Sequence, residues 1–216
     1  MGIISSAFGS EIRRCAQGAL VFAVVGMFTA CAHTPQMGSS SDTLAPEEHL
    51  RLGASYEAQG MLSEAVGQYE AAVRLAPSCA ECWLALGNTA FTEGRLNDAE
   101  ISFRKALEAA PHNPGASNNL AMVVLARNGS LPEAEALAQD ALRNSGPLRP
   151  YVLDTLANIY LRQERYAEAF TAINQAEEAT PVDNLKVREQ LQKTRKSIGD
   201  AAQTDSGKNS ATTNIK

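Results

Sequence analysis

Strand signals are missing from this chain of 216 residues. Val, Ile and Thr form no alternating runs, and aromatic residues make up only 6% of the sequence. A half-buried sheet needs both, so its absence argues for helix, and the abundance of alanine and leucine points the same way. Catalytic signatures are missing too: there is no Walker loop, no GxGxxG, no GxSxG and no HExxH. Histidine occurs three times, and His33 lies in a proline-broken polar stretch, which leaves little material for a Ser-His-Asp arrangement. Nor is there an excess of positive charge. With 19 basic and 24 acidic residues the chain carries a net charge of −5, and nothing in that favours nucleic acid. No cofactor, metal or small-molecule substrate is expected.

The N-terminus holds the one long apolar run. Arg13 and Arg14 precede "CAQGALVFAVVGMFTAC", which ends at Cys31. A run of about 15 residues is short for a membrane span and suits the h-region of a secretory signal. Its end, "FTAC", resembles a bacterial lipobox, in which the cysteine is lipidated and becomes the mature N-terminus. On that resemblance residues 1–31 are a lipoprotein-type signal peptide and Cys31 is the lipidation site. Two other readings stay open: ordinary secretion, since Ala30-Cys31-Ala32 also fits a small-x-small cleavage site, and an uncleaved anchor. Lipidation implies a lipid-anchored protein of the bacterial cell envelope that faces the periplasm. Ala32 is not aspartate, which favours the outer membrane under the sorting rule of enteric lipoproteins. A mature chain starting there loses Glu11, Arg13 and Arg14, leaving 17 basic and 23 acidic residues and a net charge near −6. Residues 32–45, "AHTPQMGSSSDTLA", read as a flexible tether. Residues 199–216 carry no aromatic and one isoleucine, too little apolar area to offset ordering, so a disordered tail is expected.

Between these ends the sequence repeats. Leu52-Gly53 recurs as Leu86-Gly87, Leu120-Ala121 and Leu156-Ala157, at spacings of 34, 34 and 36 residues. Downstream in each copy come Ala65, Ala99, Ala134 and Ala169, then Tyr69, Phe103, Ala138 and Ile173, then Ala72, Ala106, Ala141 and Ala176. Pro77, Pro111 and Pro181 close three copies, and "SGPLRP" closes the third with two extra residues. Helical spacing puts His49, Leu52, Gly53 and Tyr56 on one face, and Ala65, Tyr69, Ala72 and Val73 on another. Two helices that cross closely need small residues at the crossing, which Gly53 and Ala65 supply. Gly60 and Gly94 fall between the helices, where a C-cap favours glycine, and proline ends each unit.

This pattern resembles the tetratricopeptide repeat (TPR) family. The second copy meets the family pattern almost fully, through Trp83, Leu86-Gly87, Ala99, Phe103, Ala106 and Pro111, with Ala90 in place of the usual tyrosine. The resemblance implies an all-α, right-handed superhelix of about four helix-turn-helix repeats, at 46–79, 80–113, 114–149 and 150–183. Each unit buries its apolar face on its neighbours, so the end needs a cap. Residues 184–198, with Leu185, Val187, Leu191 and Ile198 in a polar frame, suit a C-terminal capping helix. Lys186, Arg188, Lys193, Arg195 and Lys196 read as its solvated face.

Cys79 and Cys82 straddle the junction between the first two units. Three readings stay open for this pair: small residues at a permissive turn, a local disulfide, or a thiol–disulfide redox centre. A redox CxxC of thioredoxin type calls for a βαβ setting that this chain does not offer. A structural zinc needs two more ligands, and neither His49 nor His112 converges on the pair by any readable spacing.

The family resemblance also implies a function. TPR proteins are non-enzymatic scaffolds whose inner surface, lined by the first helix of each unit, holds a partner protein or peptide. Carried onto this sequence, the inner positions are Leu50, Ala54 and Glu57; Glu81, Leu84, Asn88 and Phe91; Asn118, Met122 and Leu125; Tyr151, Asp154, Asn158, Leu161 and Arg162. The carboxylate-clamp type of groove needs lysine and arginine there, and only Arg162 offers one. What remains is apolar surface with the amides of Asn88, Asn118 and Asn158, each able to donate and accept. The reading is a lipid-anchored periplasmic adaptor. Lipoproteins of this family resemble the pilotin-type proteins of pilus assembly, and others serve polysaccharide export, secretion or outer-membrane assembly.

Overall fold

We describe the protein from a computed structural model; the described residues are 44–213, with side chains to residue 205. The signal, the Cys31 lipidation site and most of the tether fall outside them. Nine helices follow one another among the described residues: α1 (Pro46–Ala58), α2 (Leu62–Leu75), α3 (Ala80–Thr92), α4 (Leu96–Ala109), α5 (Pro114–Ala126), α6 (Leu131–Arg143), α7 (Arg149–Arg162), α8 (Tyr166–Ala179) and α9 (Leu185–Thr213). They form four antiparallel hairpins, α1/α2 to α7/α8, each stacked on the next, with α9 packed on α7 and α8. The first helices also touch one another in sequence, α1 to α3, α3 to α5 and α5 to α7. No described helix is long and apolar enough to cross a membrane.

The hairpins close because residues of matched size meet at the crossing. A Cβ added to Gly53 would lie 2.4 Å from the Tyr69 ring, and one added to Gly87 would lie 2.6 Å from the Phe103 ring. Each ring fills the space a missing side chain leaves, and both are fully buried. In the third and fourth hairpins the small position is Ala121 and Ala157, and the residue in register on the second helix is Ala138 and Ile173, all buried. One methyl gained on one helix accompanies a smaller side chain on the other, as close-packed interiors require.

Each turn from first to second helix is the same device. The residues at Gly60, Gly94, Asn128 and Glu164 all adopt positive φ, 77°, 74°, 54° and 61°. The amide after each reaches back to the same carbonyl of the preceding helix: Met61 to Tyr56, Arg95 to Ala90, Gly129 to Val124 and Arg165 to Tyr160, all within 2.8–2.9 Å. This is the Schellman closure of a helix C-terminus. Glycine serves twice at no steric cost, asparagine once, and Glu164 occupies a region that side chains other than Gly, Asn and Asp avoid. Glu164→Gly is therefore expected to stabilise the protein by about 1 kcal/mol. Chemical denaturation midpoints of the two proteins check it, and a loss of stability would show that the Glu164 side chain compensates its backbone.

The two extra residues of the third unit go into a single 3-10 turn, Gly146–Leu148, before α7. The far end departs from expectation. Residues 184–198 were expected to end the fold, with 199–216 disordered; instead α9 continues to Thr213. Past Ile198 there is no proline, Gly199 and Gly207 each cost a helix only about 1 kcal/mol, and Ala201 and Ala202 remain half-buried. The solvated basic face also needs correction. Arg188 donates to the Thr180 and Pro181 carbonyls at the end of α8, and Arg195 donates to Glu177, at 2.7 and 2.9 Å, and to Asn174. These arginines dock α9 on α8, while Lys193 pairs with Glu189 on its own helix.

Candidate functional site

Two features of the sequence ask for a place in the structure: the cysteine pair and the inner groove. Cys79 is the N-cap of α3 and accepts a hydrogen bond from the Cys82 amide, 3.1 Å away. The two sulfurs are joined as a disulfide, with the Cα atoms 5.3 Å apart. Cys82 is fully buried beside Ala72 and Val73 of α2, with Leu50, Trp83 and Leu86 packed around them. Trp83 is only half-buried, and its Nε1 donates to the Pro77 carbonyl at 2.8 Å. The bridge therefore pins the first turn of α3 at the junction of the first two hairpins. His49 of α1 engages α2, with Nδ1 2.8 Å from Gln68 Oε1, and His112 is exposed 3.6 Å from Asp140. Among the described residues no three His, Cys, Asp or Glu side chains gather as a metal site would need. A four-residue disulfide loop contributes about 2 kcal/mol in the chain-entropy description. Cys79→Ser with Cys82→Ala, which puts a hydroxyl acceptor in place of the capping sulfur and no hydroxyl in the core, is expected to lose about that much. Thermal melts with and without reductant check it, since reductant should destabilise only the parent.

The groove is a cavity of about 580 Å³ lined by α3, α5, α7 and α9. Six of the residues carried over from the family pattern meet there: Leu84, Asn88, Asn118, Met122, Tyr151 and Asp154. The other nine, among them Leu50, Phe91, Asn158 and Arg162, do not line it. Leu50 packs against the Cys82 cluster, Phe91 packs onto the main core, and Asn158 donates 2.8 Å to the carbonyl of Asp154. Arg162 donates to Asn128 Oδ1, joining the turns of the third and fourth hairpins. Repeat register had no means of finding three other lining residues. Leu148 comes from the inserted 3-10 turn, Gln190 from α9, and Asn119 stands one residue past an expected position.

Asn119 connects the amides. Its Nδ2 donates to Asn88 Oδ1 at 2.7 Å, and its Oδ1 accepts from Asn118 Nδ2 at 3.3 Å. The chain thus runs from α5 to α3 and leaves both ends for other use. Asn88 keeps its Nδ2. Asn118 is only 6% exposed, and its buried Oδ1 has no hydrogen-bond partner. A buried acceptor without a donor is costly to a fold and marks a place where a ligand donor would gain.

Asp154 stands where this cavity meets a second of about 430 Å³ between α7 and α9, which it shares with Tyr151 and Gln190. Burial raises its pKa above the ordinary carboxylate range, opposed by donation from Thr194 and Gln190. A carboxyl that holds its proton more readily when folded weakens the fold as pH rises through that raised pKa. The deficit is absent below the ordinary value of about 4 and develops above it. Asp154→Asn is therefore expected to raise the melting temperature at pH 7 and to leave it unchanged at pH 3.5. An equal gain at both pH values would show that the charge is not the cause.

Similarity to known proteins matches this architecture. The profile of the tetratricopeptide repeat family matches residues 50–114, 102–152 and 119–184. No curated protein matches the chain. Among solved structures, PilW, titled a widely conserved type IV pilus biogenesis factor, superposes with a TM-score of 0.63 at 20% identity, over 73% of this chain and 72% of its own. PilF of Pseudomonas aeruginosa gives 0.60 at 20% identity, over 74% and 75%. YrrB, titled a TPR protein with an unusual peptide-binding site, gives 0.54 at 17% identity, over 71% and 84%. At these identities the likeness concerns the fold, while the family profile spans well over half of the residues: the chain belongs to the tetratricopeptide repeat family.

Proposed function

We propose that this protein is a lipid-anchored adaptor of the bacterial envelope that holds a peptide segment of a partner protein in the groove between α3, α5, α7 and α9. The observation that carries the groove is the amide chain with open ends. Asn118 Oδ1 accepts a backbone N–H of the segment, and Asn88 Nδ2 donates to a backbone carbonyl, whatever the segment's sequence. Leu84, Met122 and Tyr151 take its apolar side chains, with methionine adapting to several shapes. Micromolar affinity with weak salt dependence suits such a surface. That YrrB carries a peptide-binding site and PilW serves pilus biogenesis supports a role in pilus or related envelope assembly.

A photo-crosslinking residue at Met122, in the groove, and another at Ile101, exposed on α4 outside it, test the site in cells. The partner is expected to be captured from Met122 and not from Ile101, and the reverse pattern would move the interface to the other side. The anchor rests on "FTAC" alone. Mass spectrometry of the mature chain is expected to find a diacylglyceryl thioether on Cys31. An unmodified chain starting at Ala32 or His33 would end the lipoprotein reading.

A further inference from the structure

Three groups around the groove share one character. Asn118 Oδ1 is a buried acceptor without a donor. Asp154 is a partly buried carboxylate that lines both cavities and has no cationic partner among the ion pairs of the described residues. Tyr151, 48% exposed, lines the same space and brings an aromatic ring to it. An acceptor, an anion and a π face together describe a receptor for a cation with several N–H groups. Thr194 and Gln190 already donate to the carboxylate, but neutral donors leave its charge unpaired, and a cation would neutralise it.

Resting on the peptide-groove reading, we infer that the segment this protein binds carries an arginine flanked by apolar residues, whose guanidinium enters the space between Asp154, Asn118 and Tyr151. Arginine fits better than lysine. Its planar fork can engage a carboxylate with two N–H groups and still direct another at an amide oxygen, and it stacks on an aromatic face, whereas an ammonium is a compact, strongly hydrated charge. The nearby cations do not fill the site. Lys193 is paired with Glu189, 2.8 Å away, and Lys186 lines only the outer cavity. The sign is opposite to that of a groove built to hold a peptide's terminal carboxylate, and it selects an internal basic residue instead.

Selection of random twelve-residue peptides displayed on phage, against the full-length protein, tests this. Enriched sequences are expected to share an arginine among leucine, methionine or phenylalanine. As synthetic peptides they should lose about tenfold or more in affinity for Asp154→Asn, with the arginine-to-lysine peptide intermediate. Asp154→Asn should melt no lower than the parent, so weakened binding would not reflect unfolding. Enriched peptides that lack a basic residue, or basic ones that bind Asp154→Asn as tightly as the parent, overturn the inference and leave the groove standing. Selection that yields no peptide competing at the groove overturns both.

Discussion

A chain ending at Asn184 is expected to be unfolded or aggregated at room temperature, although it keeps all four hairpins. What it loses is the burial of Val187, Leu191 and Ile198 against the end of the stack. Each such side chain contributes about 1.5–3 kcal/mol, so the three together contribute roughly 5–8 kcal/mol. That is comparable to the whole stability of an ordinary domain, about 5–15 kcal/mol. The loss also uncovers the last hairpin and frees the carbonyls at the end of α8 that Arg188 now caps. Hairpins stacked in one dimension have no other surface with which to bury an open end. Leu191→Ala alone should cost about 2–5 kcal/mol. Circular dichroism melts of the truncated and full chains decide the matter: a truncated chain melting within a few degrees of the parent would show that α9 is an appendage and not a cap.

Gly87→Ala is expected to cost about 1–3 kcal/mol, because the added methyl meets a ring that packing holds in place. The informative variant is the double one. The fourth hairpin already combines alanine at the small position, Ala157, with isoleucine on the second helix, Ile173. Gly87→Ala with Phe103→Ile transplants that solution into the second hairpin. It should be more stable than the sum of the single effects predicts, by about 1 kcal/mol or more, as expected of residues in direct contact. Denaturant titration of the four proteins in the cycle measures this. Strict additivity would mean that the size match between these positions is incidental.

The crossing was legible in the sequence because its physics is local. A close approach demands a small residue, and Leu-Gly or Leu-Ala recurring beside a downstream alanine shows where it falls. The turns were half legible. Gly60 and Gly94 announce positive φ and Asn128 tolerates it, whereas Glu164 reaches the same backbone state because the flanking helices impose it, and no side-chain preference signals that. The groove was legible only as far as the repeat reaches. Leu148 enters through an insertion and Gln190 through the cap, so neither has a repeat position to be read from. Phe91 and Asn158 satisfy the positional rule yet point their contacts elsewhere, one into the core and one onto the Asp154 backbone. The doublet Asn118-Asn119 carries a signal of its own: two adjacent amides on a helix facing a third, Asn88, can join into a chain. The length of α9 was not legible from composition, since a polar helix that leans on α8 needs little apolar area of its own.

The central claim is that the amide-lined groove holds the partner. Isothermal titration of the partner segment into the parent and into Asn88→Ala with Asn118→Ala measures it most directly. The double variant is expected to bind about 1–3 kcal/mol more weakly while melting close to the parent, because its lost hydrogen bonds lie mainly among the amides themselves. Equal affinity for both proteins, with binding abolished instead by reversing the exposed charges of Lys186 and Lys196 on α9, would contradict the groove and place the interface on the cap.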